Sequence, residues 1–191
     1  MLPRRGSFFE EVSMSPIASV PSSSGAALTP KQQFLAAYEK EHGTTMRVLR
    51  AYPRDKAELK PHPKAKTARE LAWIFVIEQG AMEKVLTTGF DFSAPPAFPP
   101  APDSLDAILS ALDPGQKRIA GLVAGMSDED LLRTAKFFTA PKTIGDVPRL
   151  QLLWMMLSDQ VHHRGQFSVY LRMADGKVPS IYGPSLDEPW F

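Results

Sequence analysis

The chain has 191 residues, 43% of them hydrophobic and 23% charged, proportions that suit a single folded globular domain. Its 22 Lys and Arg against 21 Asp and Glu leave a formal charge of +1, which offers no electrostatic footprint for nucleic acid. Cysteine is absent, so disulfides, thiolate ligands and a cysteine nucleophile are excluded, and any metal must be held by His, Asp or Glu.

No apolar run approaches the roughly 20 residues needed to cross a bilayer, and the longest, Leu152 to Leu157, falls far short. Near the N-terminus Arg4 and Arg5 precede Phe8 and Phe9, but Glu10 and Glu11 interrupt before a secretory core forms. The expected location is cytoplasmic, with Met14 an alternative start to Met1. Residues 1–28 are rich in Ser, Pro, Ala and Gly without a sustained period, which predicts a disordered tail.

Order is expected from Thr29-Pro30, a capping residue followed by proline at the first helical position. Leu35, Tyr38, His42, Thr45 and Leu49 then recur at helical spacing until Tyr52-Pro53. A polar connection through Pro61-His62-Pro63 leads to Thr67-Ala68-Arg69-Glu70, a capping box opening a second helix. Its stripe is Leu71, Ile74, Phe75, Glu78, Met82 and Val85, with Gly89 near its end. Five prolines between 89 and 102 predict an extended crossover.

Asp103 or Ser104 caps a third helix, in which Pro114-Gly115 predicts a kink or a break into two pieces. Ser127-Asp128-Glu129-Asp130 predicts a short helical turn, and 136–146 reads as a loop. Asp146-Val147-Pro148 then opens the last and longest helix, apolar almost all round from Leu150 to Leu157 and therefore expected at the centre. It should end near Asp175-Gly176 and leave an extended C-terminal arm, 177–191, which would pack on its own domain or, in a homodimer, on a neighbour. No strand-like alternation and no internal repeat is evident, so the expected class is all-α.

The segment richest in chemistry is Asp159-Gln160-Val161-His162-His163-Arg164-Gly165-Gln166. Asp159 and His163 lie four apart, so they project from one helix face as a two-ligand metal site requires. Glu78 interrupts the apolar stripe of the second helix, where a buried carboxylate costs several kcal/mol (an order of magnitude) unless it is paired or coordinated. Either it is a third metal ligand, or it forms a salt bridge to Arg164 or a hydrogen bond to Gln166. The alternative for Asp159 and His163 is an i,i+4 hydrogen bond or a core polar cluster.

His162 is turned from His163 by about 100° of helix rotation, towards a neighbouring helix or a group behind the ligands. His42 reads as a hydrogen-bonded core histidine, His62 as exposed, and Trp73, Trp154 and Trp190 as packing residues. Lys64, Lys66 and Arg69 form a modest basic cluster, read as a solvated surface. A glycine-rich phosphate loop, a Gly-x-Ser-x-Gly elbow and a His-Glu-x-x-His zinc helix are all missing.

His162-His163-Arg164-Gly165-Gln166, then Val169-Tyr170-Leu171-Arg172, then Lys177-Val178-Pro179-Ser180-Ile181-Tyr182-Gly183-Pro184 and Asp187-Glu188-Pro189 resemble the DinB/YfiT-like family. Glu41-His42, Arg47-Val48-Leu49 and Arg69-Glu70-Leu71-Ala72-Trp73 extend the resemblance to about residues 30–191. It implies an antiparallel four-helix bundle with a long crossover between helices 2 and 3, and a divalent-metal site (Zn, Ni or Mn) made by three histidines. It also implies, for some members, thiol S-transferase or hydrolase activity on a small-molecule substrate or thiol.

The family's three ligand positions fall here on Ile74, Asp159 and His163. A carboxylate at Asp159 still binds such metals, whereas Ile74 does not ligate. Glu78, one turn after Ile74, then completes a Glu/Asp/His set, with Arg164, Gln166 and His162 as candidates for contacting substrate. The rival expectation is a non-catalytic bundle of binding or stress-response type whose polar pocket residues bond one another. Neither nucleic acid nor membrane is an expected partner.

Overall fold

The computed structural model describes residues 27–93 and 97–191. Nearly all of the predicted N-terminal tail, and Pro95 and Pro96 of the crossover, lie outside the described residues.

Helix α1, Pro30–Arg50, begins as the sequence predicts. Thr29 accepts from the Gln32 amide while the Gln32 side chain accepts from the Thr29 amide, a reciprocal capping box. Thr67 and Glu70 do the same for α2, Ala68–Leu86. Gly89, at φ 74°, follows the end of α2 and returns its N–H to the Lys84 carbonyl at 2.7 Å, a conformation that favours glycine.

Helix α3 spans Leu105–Gly125 without a break, so the expected division at Pro114 does not occur. Pro114 is exposed, as is Ser110, whose carbonyl loses its usual partner; water can satisfy that group, so the missing bond costs too little to interrupt the helix. Gly115, on the buried side, matters for a different reason. A Cβ there would stand 2.0 Å from Gln79 Oε1, so the glycine lets the α2 side chain press against the α3 backbone.

The all-α expectation fails at 134–148. After the short α4, Asp128–Leu132, the chain forms strands β1, Thr134–Ala140, and β2, Thr143–Pro148, paired antiparallel with Lys136 opposite Asp146. The segment read as a loop is this hairpin. Ala135 and Phe137 turn towards the core while Thr134, Lys136 and Phe138 face out, the period-two pattern of a half-buried strand. The turn closes at Pro141-Lys142, with Lys142 at φ 61°, and Lys136 Nζ pairs with Asp146 Oδ2 at 2.7 Å across the strands. Phe90 and Phe92 of the crossover meet Phe137 and Phe138 at 5.2 and 5.3 Å between ring centroids.

The last helix, α5, runs Arg149–Met173. Leu152, Leu153, Met156 and Leu157 are buried, but Trp154 and Met155 are 37% and 43% exposed, so α5 is not enclosed on all sides. Its outer face remains at the surface. Both α1 and α2 pack on α3 and on α5, which sets α1 and α2 across the interior from one another. The interior divides into two apolar clusters. One gathers Phe75, Ile108, Phe167 and Leu171; the other gathers Phe34, Met82, Ile119 and Leu153. No helix among the described residues is long and apolar enough to cross a membrane.

The C-terminal arm packs on its own chain. Arg172 pairs with Asp187, Arg47 donates to the Ser180 carbonyl at 2.9 Å, and Val178 and Ile181 lie against the first cluster. Trp73 donates to the Pro99 carbonyl at 2.8 Å, and Trp154 meets Phe34 edge-on. Trp190 is 60% exposed and so is not the packing residue expected.

Candidate metal centre

Glu78 sits on the inward face of α2, in register with the buried Leu71, Phe75, Met82 and Val85. It is only 8% exposed, and neither carboxylate oxygen has a hydrogen-bond partner among the described residues. Both bland expectations for it are excluded by the positions of the other two side chains. Arg164 turns to α1, where Nη1 lies 2.7 Å from Glu41 Oε2 and 3.3 Å from Thr45 Oγ1. Gln166 is taken up by the two histidines.

Opposite Glu78, one turn of α5 presents Asp159 and His163. His163 Nε2 lies 3.4 Å from Glu78 Oε1 and 3.7 Å from Asp159 Oδ2, and one donor atom from each residue falls within 4.8 Å of the others. Ligands held at about 2.0–2.2 Å on a tetrahedral ion stand roughly 3.3–3.6 Å apart, so the spacing suits a shared cation. The site grades from buried Glu78 through half-buried His163 to exposed Asp159, which leaves one side open to solvent. Burial first, and then the negative charge of Asp159, raise the Glu78 carboxyl to about 9. A carboxylate in this position therefore requires a positive partner to ionise near neutrality. A buried carboxyl that faces an imidazole nitrogen at 3.4 Å and a second carboxylate supplies the kind of donor set a divalent cation takes.

The other ring nitrogen of His163 completes the arrangement. Gln166 donates from Nε2 to His162 Nε2 at 2.9 Å, which turns its Oε1 towards His163 Nδ1 at 3.2 Å. An oxygen there accepts a hydrogen bond from Nδ1–H and leaves the Nε2 lone pair facing the two carboxylates, the tautomer a metal ligand needs. The edge of the Phe75 ring, 6.5 Å between centroids, forms an apolar wall beside His163.

The remaining candidates are dispersed. His162 is exposed, as its helical offset from His163 implies, and its ring centroid stays 5.4 Å from that of His163. Arg164 is 1% exposed and serves a junction between α1, α5 and the arm. Its guanidinium also donates to the Tyr182 hydroxyl and lies 5.1 Å from the centre of that ring, while the same hydroxyl donates to Glu41 at 2.8 Å. His42 bonds Asp113 at 2.7 Å, linking α1 to α3, and holds the Asp113 carboxyl below its usual range. His62 is exposed, and Ile74 is half-buried. Glu41, Tyr38, Gln79 and Gln160 are polar groups of the interior that sequence reasoning did not single out; Tyr38 and Gln79 each leave one buried polar atom without a partner among the described residues.

Beside His163 an open cleft of about 440 Å³ runs along α5, lined mainly by apolar groups of Leu71, Val169 and Tyr170, with Lys66 and Gln166 contributing its polar part.

A family model described as the DinB family matches residues 26–190. The protein YrdA of Bacillus subtilis (strain 168), itself described as uncharacterized, is 28% identical over 157 residues, covering 81% of this chain and 89% of its own. Among solved structures, a DinB-like protein from Bacillus cereus ATCC 10987 is similar at a TM-score of 0.63 and 24% identity, covering 78% of this chain and 95% of that one. The DinB-like protein YjoA from Bacillus subtilis is similar at a TM-score of 0.59 and 16% identity, with 83% and 99% covered. Those two likenesses bear on the fold.

Proposed function

Because the chain belongs to the DinB family, we propose that Glu78, Asp159 and His163 hold a divalent cation at which a small molecule is transformed, by hydrolysis or by transfer to a thiol. The four long helices, on this reading, form the antiparallel bundle that carries such a site. The observation that carries the proposal is Glu78: a buried carboxylate with two unpartnered oxygens, facing a histidine and a second carboxylate at ligand spacing.

Two carboxylates and one imidazole give a hard, oxygen-rich donor set that suits Zn²⁺, Ni²⁺ or Mn²⁺. When bound, such an ion with positions open to solvent polarises an electrophile or lowers the pKa of a water or thiol. The chain supplies the rest. Gln166 fixes the His163 tautomer, Phe75 keeps one side of the imidazole dry, and exposed Asp159 leaves its own side of the site open to solvent.

Titration of metal-free protein with Zn²⁺, Ni²⁺ and Mn²⁺ tests the reading, using the wild type and the variants Glu78→Gln, Asp159→Ala and His163→Ala. One equivalent taken up by the wild type, with each variant weakened by tenfold or more, is the expected result. Equal uptake by all four proteins refutes it and leaves the rival reading, a non-catalytic member of the fold.

A further inference from the structure

The cleft beside His163 joins two features that the metal reading does not use: an apolar wall and a basic loop. Its volume of about 440 Å³ lies within the range of small-molecule sites. The wall comes from Leu71 of α2 and from Val169 and Tyr170 of α5, with His163 also lining the cleft. Val169 is 58% exposed, a β-branched apolar side chain left facing solvent along the cleft.

The loop between α1 and α2 carries Lys60, Lys64 and Lys66, all exposed and none in an ion pair among the described residues. Of the nearby acids, Glu58 is paired elsewhere, whereas the Glu70 carboxylate, held by its cap, still acts on Lys60 and Lys66 from a distance. Glu70 accepts from the Thr67 amide in the capping box, and Glu58 pairs with Arg69 at 2.5 Å. The loop is also a built element. Tyr170, only 8% exposed, donates its hydroxyl to the Lys66 carbonyl at 3.0 Å, and the Ala65 amide donates to the His62 carbonyl at 2.9 Å. The backbone of Lys66 is thereby held beside the same cleft that His163 lines.

We propose that this cleft binds an anionic amphiphile of small-molecule size. Its apolar body lies across Leu71, Val169 and Tyr170, its negative group stands beside Lys66, and its other polar end reaches His163. Only that last placement rests on the metal reading, because it brings that end beside one of the three proposed metal-site residues; the apolar and anionic contacts stand without it. Free energy from the unreactive body and charge would orient the reacting end, the use of remote binding that catalysis requires.

The test uses 4-phenylbutyrate and its neutral isostere 4-phenylbutyramide, titrated into the full-length metal-free protein and followed by amide chemical shifts. Binding of the acid about two- to fivefold tighter than the amide is expected, the range a partly exposed ion pair supplies. Lys66→Gln should abolish that preference while keeping amide binding, and Val169→Asn should weaken both probes about fourfold. Both substituted side chains are exposed, and Zn²⁺ uptake by both variants should match the wild type. Equal affinity for acid and amide, a preference that survives Lys66→Gln, or no binding of either probe overturns the inference even where Zn²⁺ still binds. A wild type that takes up no Zn²⁺ yet prefers the acid through Lys66 supports the cleft and overturns the metal centre instead.

Discussion

Replacing Glu78 with Gln separates the stability of the metal-free fold from its capacity for metal. The carboxyl titrates near 4.5 when free and is raised to about 9 in the folded chain. The unfolded chain therefore releases its proton first. Below about 4.5 both states are protonated and Glu78 costs nothing; between there and about 9 the stability of the metal-free protein falls as pH rises. At about 1.4 kcal/mol per unit, the loss at pH 7 is about 3 kcal/mol, an order-of-magnitude figure for a side chain this buried.

Glutamine keeps the shape and never ionises. Urea unfolding of metal-free protein should show the two forms alike at pH 4.5 and the variant more stable by a few kcal/mol at pH 7. Metal should narrow that gap, since a ligand present at a hundredfold excess over the wild-type Kd adds about 3 kcal/mol to the form that binds it and less to a variant that binds it more weakly. Parallel pH profiles for wild type and variant, without metal, would refute the reasoning, because they would mean that Glu78 is not held in the dry position described.

Three further outcomes follow from local geometry. Gly115→Ala drives a methyl group into Gln79 Oε1 and should cost about 1–3 kcal/mol of unfolding free energy, most of it recovered when Gln79→Ala is added. Arg164→Met leaves half-buried Glu41 with the Tyr182 hydroxyl but without its cation and should cost about 2–3 kcal/mol; chemical denaturation measures it, and a loss under 1 kcal/mol would show the pair to be energetically idle. Gln166→Leu removes the acceptor at His163 Nδ1 and should weaken Zn²⁺ binding about 10- to 100-fold, with Gln166→Glu recovering most of the loss in competition titrations.

Much of the architecture is written locally. Thr29 with Gln32 and Thr67 with Glu70 form capping boxes whose two members are three residues apart, so the helix starts could be read without tertiary knowledge. The hairpin was obscured because Phe137 and Phe138 are adjacent aromatics, which blur the alternation, and only the first turns inwards. Its stabilising partners, Phe90 and Phe92, lie far away in the chain. Pro114 misled for a similar reason: whether a proline breaks a helix depends on whether the freed carbonyl meets water, and exposure is a tertiary property.

The site divides in the same way. Asp159 and His163 are one turn apart, and Glu78 declares itself as a charge in an apolar stripe, so their convergence was legible from period and burial. The destination of Arg164 was not. Its partner Glu41 is 123 residues away on another helix, and no local spacing distinguishes that pairing from one with Glu78. The part of Gln166 in setting the His163 tautomer depends on where His162 points, which again requires coordinates.

Anomalous X-ray scattering from crystals grown with Zn²⁺, recorded at the zinc edge, bears most directly on the metal centre. The expected result is one strong peak about 2.0–2.2 Å from a Glu78 oxygen, Asp159 Oδ2 and His163 Nε2 together. A map with no peak among those three side chains, with Glu78 turned to a protein partner instead, would contradict it.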